Sequence, residues 1–167
     1  AYGVGQLISG PLIDRLGTKR AFELAVVFWS AATVLHALGR GVWSFFTMRV
    51  VLGLAEAANF PAASKAVAQW FPANERATAV AIFMLGAGLG AIITPPLTVW
   101  IMQTLSWQWA FIIPGSLGLI WAVLWRRWYH LPESHPTLDE AERTLILSQR
   151  SEQQSGVGWT QLLGYRQ

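Results

Sequence analysis

The stretch Gly10-Pro11-Leu12-Ile13-Asp14-Arg15-Leu16-Gly17-Thr18-Lys19-Arg20 decides how this chain is read. An apolar run rich in small residues enters it, a dense cluster of charge follows, and a second long apolar run leaves. Charge concentrated between two membrane-length segments marks a short cytoplasmic loop, because Lys and Arg are retained on that side of a bilayer. Glycines at such a turn let two helix ends approach closely.

Composition agrees with a membrane setting. Of 167 residues, 53% are hydrophobic and 13% charged, against roughly 25% charged in an ordinary soluble domain. A soluble chain of this make-up would expose large apolar patches. Ten tryptophans are present, and such residues concentrate at the two membrane–water interfaces. The expected class is an all-α membrane protein. A net charge of +3 is too small to argue for nucleic acid as a partner, and the basic residues gather at segment ends. With no cysteine, disulfides and thiol chemistry are excluded. The opening Ala1-Tyr2-Gly3-Val4-Gly5 lacks the basic region of a signal peptide. A start inside an apolar helix suggests a piece of a longer chain.

A bilayer-spanning helix needs about 20 mostly apolar residues, and five segments are assigned on that basis. Ala1–Ile13 reads as the second half of one span, and Ala21–Gly39 as a complete one ending at Gly39-Arg40-Gly41. A third runs from Trp43 to Trp70, interrupted by Pro61. Ala77–Leu105 carries Gly86, Gly88, Gly90 and the Pro95-Pro96 pair, and Trp109–Tyr129 holds Pro114-Gly115. The Gly86-x-x-x-Gly90 spacing predicts a smooth stripe for close helix approach. Residues 1–129 are therefore expected to span the membrane, and 130–167 to form a polar loop. In that loop Thr137-Leu138-Asp139-Glu140 reads as a capping box, with Thr137 as N-cap. A short amphipathic helix on the cytoplasmic surface should follow, then a flexible linker over 151–158. Trp159–Arg166 reads as the approach to a further span.

Loop charge sets the orientation. Arg15, Lys19 and Arg20 occupy the first loop, Lys65 and Arg76 flank the third, and Arg126 and Arg127 close the last span; the loops between hold only Arg40 as a basic residue. This alternation puts the first, third and fifth loops in the cytoplasm.

Within the third element, Arg49 and Glu56 lie seven residues apart, two helical turns, and so share nearly one face. Asn59 is expected to join that face. Glu56 falls near the bilayer midplane, where an ionisable group costs at least ~2.5 kcal/mol to insert and is normally functional. A glutamate at that depth is suited to carrying a proton; the alternative is a buried pair that only fixes helix packing. Glu23, His36 and Lys65 lie near segment ends, where solvated or snorkelling roles are expected. The tryptophans bracketing the last two spans read as interfacial anchors, with stacking of one on a sugar ring as the alternative. No G-x-S-x-G, metal-spaced His or Cys cluster, or phosphate-binding loop is present. Neither an enzyme nor a cofactor is expected.

The opening pattern, G-x-L-x-D-R-x-G-x-[KR]-R, resembles the loop between the second and third helices of major facilitator superfamily transporters. Arg49-Val-Val-Leu-Gly53-Leu-Ala-Glu56-Ala-Ala-Asn59-Phe-Pro61 is similar to the fourth helix of the anion:cation symporter branch. So are Trp70-Phe-Pro72-x-x-Glu75-Arg76, Trp107-Gln-Trp109-Ala-Phe and Pro132-Glu-Ser-His135-Pro136. Glu56-Ala-Ala-Asn59-Phe-Pro61-Ala-Ala most resembles the hexuronate (glucuronate and galacturonate) transporters. The resemblance implies helices two to six of a twelve-helix fold, plus the central loop, with the C-terminal half outside this chain. It implies a bacterial inner-membrane, multi-pass protein moving an organic anion with a proton by alternating access. A hexuronate or related sugar acid is the implied substrate; glucarate, galactonate, tartrate or a phthalate-like acid is the alternative. A truncated, non-transporting membrane protein is a third reading. By resemblance, Gly10, Asp14, Arg15, Gly17, Lys19 and Arg20 form the cytoplasmic gate motif, Arg49 and Glu56 a buried pair with Glu56 coupled to protonation, and Asn59 lies near the sugar acid. Thr18 stands where a basic residue is usual, and Ala55 where glycine is frequent. The antiporter glycine-proline motif is absent in its usual form.

Overall fold

The computed structural model describes residues 1–154. Among them the chain is all α: α1 (Tyr2–Leu16), α2 (Thr18–Leu35), α3 (Val42–Glu56), α4 (Asn59–Trp70), α5 (Arg76–Thr104), α6 (Trp109–Trp128) and α7 (Glu140–Gln154). Single 3-10 turns cover His36–Leu38 and Pro132–Ser134.

The charged loop is shorter than its sequence suggests. α1 continues through Leu16 and α2 begins at Thr18, so Asp14 and Arg15 close one helix while Lys19 and Arg20 open the next. Gly17 alone makes the connection, at φ 77 and ψ 153, a region essentially reserved for glycine. Its N–H also donates to the Ile13 carbonyl at 3.0 Å, tying off α1. Gly17→Ala is expected to cost about 1–3 kcal/mol, measured as a lower thermal-unfolding midpoint of the full-length protein in mild detergent.

Among the described residues, three helical stretches are long and apolar enough to cross a membrane: Thr18–Leu38, Arg76–Thr104 and Trp109–Trp128. Of the remaining two segments, the first is a partial span, as expected, and the other differs from its expectation. α1 has 15 residues. The element expected over 43–70 is two helices, of 15 and 12 residues, parted at Ala57–Ala58. Pro61 accounts for the break: it has no N–H for the Ala57 carbonyl, and its ring crowds that carbonyl. Placing Pro61 in the first turn of α4 puts its missing donor where none is needed. By contrast Pro11, Pro95, Pro96 and Pro114 sit inside unbroken helices, as membrane helices tolerate.

α2 is the central element, lying against α6 and against α3 and α4. Its core partners are mostly small: Ile13, Ala21, Phe22, Val26, Ala62, Ala63 and Ala122. Small residues set the spacing. A Cβ on Gly115 would lie 2.6 Å from Val34 Cγ2 and 2.9 Å from the Ser30 carbonyl oxygen, and one on Gly118 would overlap Ser30 Oγ. At Gly5, a Cβ would come within 2.6 Å of Ala57 Cβ, so α1 crosses the third element at its break. The predicted stripe on α5 is different: Gly86, Gly88 and Gly90 have nothing within 4 Å. Among the described residues no helix covers them, so the close approach expected there is not formed within this segment.

The polar tail begins differently from the capping box expected of it. α7 starts at Glu140, not at Leu138, and Asp139 is the capping residue, its Oδ1 accepting from the Glu140 N–H at 2.9 Å. Asp outranks Thr as an N-cap, which accounts for the later start. α7 also runs to Gln154, through the first residues of the expected linker. Residues 155–158 and the Trp159–Arg166 stretch lie outside the described residues.

Candidate functional site

The basic connections other than the Arg40 turn meet at one end of the bundle. Lys65 Nζ of α4 pairs with Asp14 Oδ1 of α1 at 2.6 Å, and Arg126 of α6 pairs with Glu23 of α2 at 3.3 Å. Trp125 Nε1 donates to the Lys19 carbonyl at 3.1 Å. The Tyr129 hydroxyl donates to Gln69 Oε1 at 2.9 Å, joining the ends of α6 and α4. Arg76 folds back to donate to the Phe71 and Ala68 carbonyls, both at 2.9 Å. Helix C-termini leave four carbonyls without intrahelical partners, and Arg76 supplies α4 with two donors. Trp121, Trp125 and Tyr129 form a stacked ladder along α6, with centroids 5.2 and 3.9 Å apart. Phe22 meets both tryptophans edge-on. Trp121 and Trp125 therefore bind α2 to α6, beyond the anchoring role expected of them. Trp128, 69% exposed, retains the geometry of an interfacial anchor.

Lys65 makes a contact that its place in the sequence did not disclose. It was expected to snorkel alone; it holds Asp14 of the charged loop. The signal was its distance along the chain from Glu56, nine residues or about two and a half helical turns, which delivers it to the loop's end of the bundle.

The opposite end holds the Arg40 turn and an aromatic nest. His36, expected to be solvated, is fully buried. Its ring stacks on Phe111 at 5.2 Å and leans on Phe45, while Nδ1 lies 2.6 Å from the Ala32 carbonyl. The 3-10 turn tightens the chain after α2 and tucks the ring inward. Gly39 permits this, since a Cβ there would strike the Phe45 ring at 2.7 Å.

The candidate substrate face is on α3. Arg49 and Glu56 are both exposed, and neither forms an ion pair among the described residues. The buried pair implied by resemblance is thus not formed within this segment. Along the helix their backbone positions are about 10 Å apart, so a direct pair would need both side chains to bend toward each other. Asn59 does not share their exposure. It begins α4, after the Ala57–Ala58 break, and lines a cavity of about 260 Å³ with Phe22, Val26, Trp29, Gly118 and Trp121. The break turns the chain between Glu56 and Asn59, so their spacing of three residues does not act as helical spacing. In the charged loop, Gly10 has open space around it, Arg15 and Arg20 are exposed, and Lys19 is half-buried.

Comparison with known proteins places this geometry. The Major Facilitator Superfamily profile matches residues 1–166. The galacturonate transporter of Dickeya chrysanthemi is 38% identical over 156 residues, covering 93% of this chain and 45% of that protein. The hexuronate transporter of Escherichia coli K12 is 41% identical over 148 residues, covering 89% of the chain and 34% of its own length. The D-galactonate transporter of Escherichia coli O6:H1 is 35% identical over 145 residues, with 87% and 34% covered. The chain spans between a third and a half of the length of these relatives. An all-α bundle, helices of membrane-crossing length and a profile match across nearly every residue lead to one conclusion: the chain belongs to the Major Facilitator Superfamily.

Proposed function

We propose that this segment works within a longer transporter that moves an organic acid, a hexuronate or related sugar acid, across the bacterial plasma membrane together with a proton. The reading of a transporter, not an enzyme, rests on the family and on relatives named for galacturonate, hexuronate and D-galactonate. The observation that carries the site assignment is the exposure of Arg49 and Glu56 on α3, a helix with no other charged residue. Unpaired charge on a membrane helix is expensive and faces a bundle interior or a water-filled cavity. The remaining half of the protein supplies the other wall of that cavity, since sites in transporters built from repeats lie between the halves near the midplane.

In this reading residues 1–129 cross the bilayer and the segment from 130 onward lies in the cytoplasm. The charged end, with Asp14, Lys19, Arg20, Lys65, Arg76 and Arg126, faces the same side, in accord with retention of basic loops. Arg49 meets the substrate carboxylate, for which a guanidinium offers paired donors. Glu56 carries the proton. Asn59 supports the site from behind, on the wall it shares with α2 and α6. Alternating access then exposes the α3 face to one side at a time, with Asp14, Arg15 and Arg20 at the cytoplasmic gate.

Lys65 holds Asp14 in register for that gate. The pair is partly exposed, its side chains 33% and 74% accessible, so it contributes at most ~1 kcal/mol to stability. Lys65→Gln is expected to leave the unfolding midpoint of the full-length protein nearly unchanged while slowing uptake. The charge exchange Asp14→Lys with Lys65→Asp should recover part of the lost rate. Equal loss in the single and exchanged variants would show that the pair itself does not matter.

A second reading changes only the acid. Relatives named as probable galactarate/D-glucarate transporters, of Bacillus subtilis and Escherichia coli K12, are 36% and 37% identical, nearly as similar as the hexuronate group. Competition of labelled galacturonate uptake by glucarate, galactonate, tartrate and glucuronate separates them. The hexuronate reading requires glucuronate to compete best.

A further inference from the structure

The geometry points to a binding site for an anionic phospholipid at the charged end of α2 and α6, with the lipid phosphate among Lys19, Arg20 and Arg126. These residues, with Glu23 and Leu24, line an open cavity of about 480 Å³. Three cations face one carboxylate, and that carboxylate is already engaged by Arg126, which leaves a net of +2. The Arg126 side chain is 76% exposed and keeps donors free for a second acceptor, as its five-donor fork allows. α2 also begins here without an acidic residue in its first turn and without a side-chain cap. Its first N–H groups and the positive end of its dipole therefore add to the attraction for an anion. Trp125, bonded to the Lys19 carbonyl, holds the two walls together.

Charge explains the phosphate, and the floor of the cavity explains the lipid. Leu24 also lines an apolar groove of about 470 Å³ that continues over Phe28 and between α1 and α3. Leu24 and Phe28 are 44% and 61% exposed. A basic pocket opening onto an apolar groove at the end of a membrane helix has the polarity of a single amphiphile. Basic pockets between membrane helices bind anionic headgroups, and acyl chains gain about 0.8 kcal/mol per buried CH₂. A free phosphate would use the cations and leave the groove uncovered. This site differs from the α3 face and does not depend on which acid is carried.

The experiment is native mass spectrometry of the purified full-length protein exchanged into detergent with defined phosphatidylglycerol or phosphatidylcholine. Preferential retention of phosphatidylglycerol is expected. Arg126→Gln should weaken it about fivefold or more, since each basic residue contributes about 1 kcal/mol and Glu23 is released as a competing charge. Glu23→Gln should act in the opposite direction and raise retention. Because the two variants break the same ion pair, their opposite signs separate lipid binding from a folding defect. Equal retention of the two lipids, equal changes in both variants, or displacement of phosphatidylglycerol by millimolar inorganic phosphate would overturn the assignment.

Discussion

In the full-length transporter, Glu56→Gln is expected to abolish proton-driven accumulation while leaving counterflow exchange of substrate intact. Glutamine keeps the size and hydrogen-bonding capacity of the side chain but cannot take up or release a proton. Glu56 closes α3, two turns from Arg49 and before the Ala57–Ala58 break, and no ion pair within the described residues holds it. A carboxylate placed this way on a membrane helix costs at least ~2.5 kcal/mol on insertion scales, and packing within this segment gives nothing in return. Under the proposed function, protonation would remove that cost, and proton binding and transport would be linked at this carboxyl group. For one proton per substrate, an inward gradient of one pH unit sustains about a tenfold accumulation, or about 1.4 kcal/mol. In the variant this ratio falls to equilibrium, whereas exchange, which needs no net proton movement, continues. Unchanged concentrative uptake would remove Glu56 from the coupling mechanism, and loss of both activities would give it a structural role.

Gly115→Leu is expected to have the largest effect on folding. The backbone of α6 approaches α2 so closely that even a Cβ at residue 115 meets Val34 Cγ2 at 2.6 Å, the Ser30 carbonyl oxygen at 2.9 Å and the Val34 nitrogen at 3.1 Å. Two of these three are backbone atoms of a helix and cannot rotate away. Overpacking a well-fitted core typically costs about 1–3 kcal/mol, and leucine adds three carbons beyond the Cβ. Separating α2 from α6 would also strain the Trp125–Lys19 bond and the Phe22–Trp121–Trp125 contacts at the charged end. The full-length variant should give less monodisperse protein on size-exclusion chromatography and a lower unfolding midpoint. Gly41→Ala provides the contrast: Gly41 has nothing within 4 Å and an extended φ of 174, and should behave as the parent. A Gly115→Leu protein of parental stability would refute the close α2–α6 contact.

Much of this architecture could be read from residue order. Apolar segment lengths gave the long helices α2, α5 and α6, because a span of about 20 residues needs no knowledge of its neighbours. Charge placement anticipated that the basic residues of the first loop, the Lys65–Arg76 region and Arg126 share one end, and the Lys65–Asp14 and Arg126–Glu23 pairs and the Trp125–Lys19 bond tie α1 to α4 and α2 to α6 there. What failed depended on local backbone geometry or on tertiary partners. Pro61 was recognised as an interruption, but the break falls four residues earlier, at the carbonyl that loses its donor. That displacement also turned Asn59 away from Glu56. His36 was misjudged because depth along a helix does not reveal a 3-10 turn that folds the ring beneath Phe45 and Phe111. Gly115 and Gly118 form the tight contact while the more conspicuous Gly86-x-x-x-Gly90 stripe has no neighbour within this segment, since a small-residue motif offers a surface without naming what lies against it.

The measurement that tests the central claim most directly is uptake of labelled galacturonate into proteoliposomes containing the full-length protein under an imposed inward proton gradient. Accumulation above equilibrium is expected, with collapse on adding a protonophore, competition by unlabelled glucuronate and none by neutral galactose. Uptake that ignores the proton gradient, or that galactose inhibits as well as glucuronate does, would contradict it.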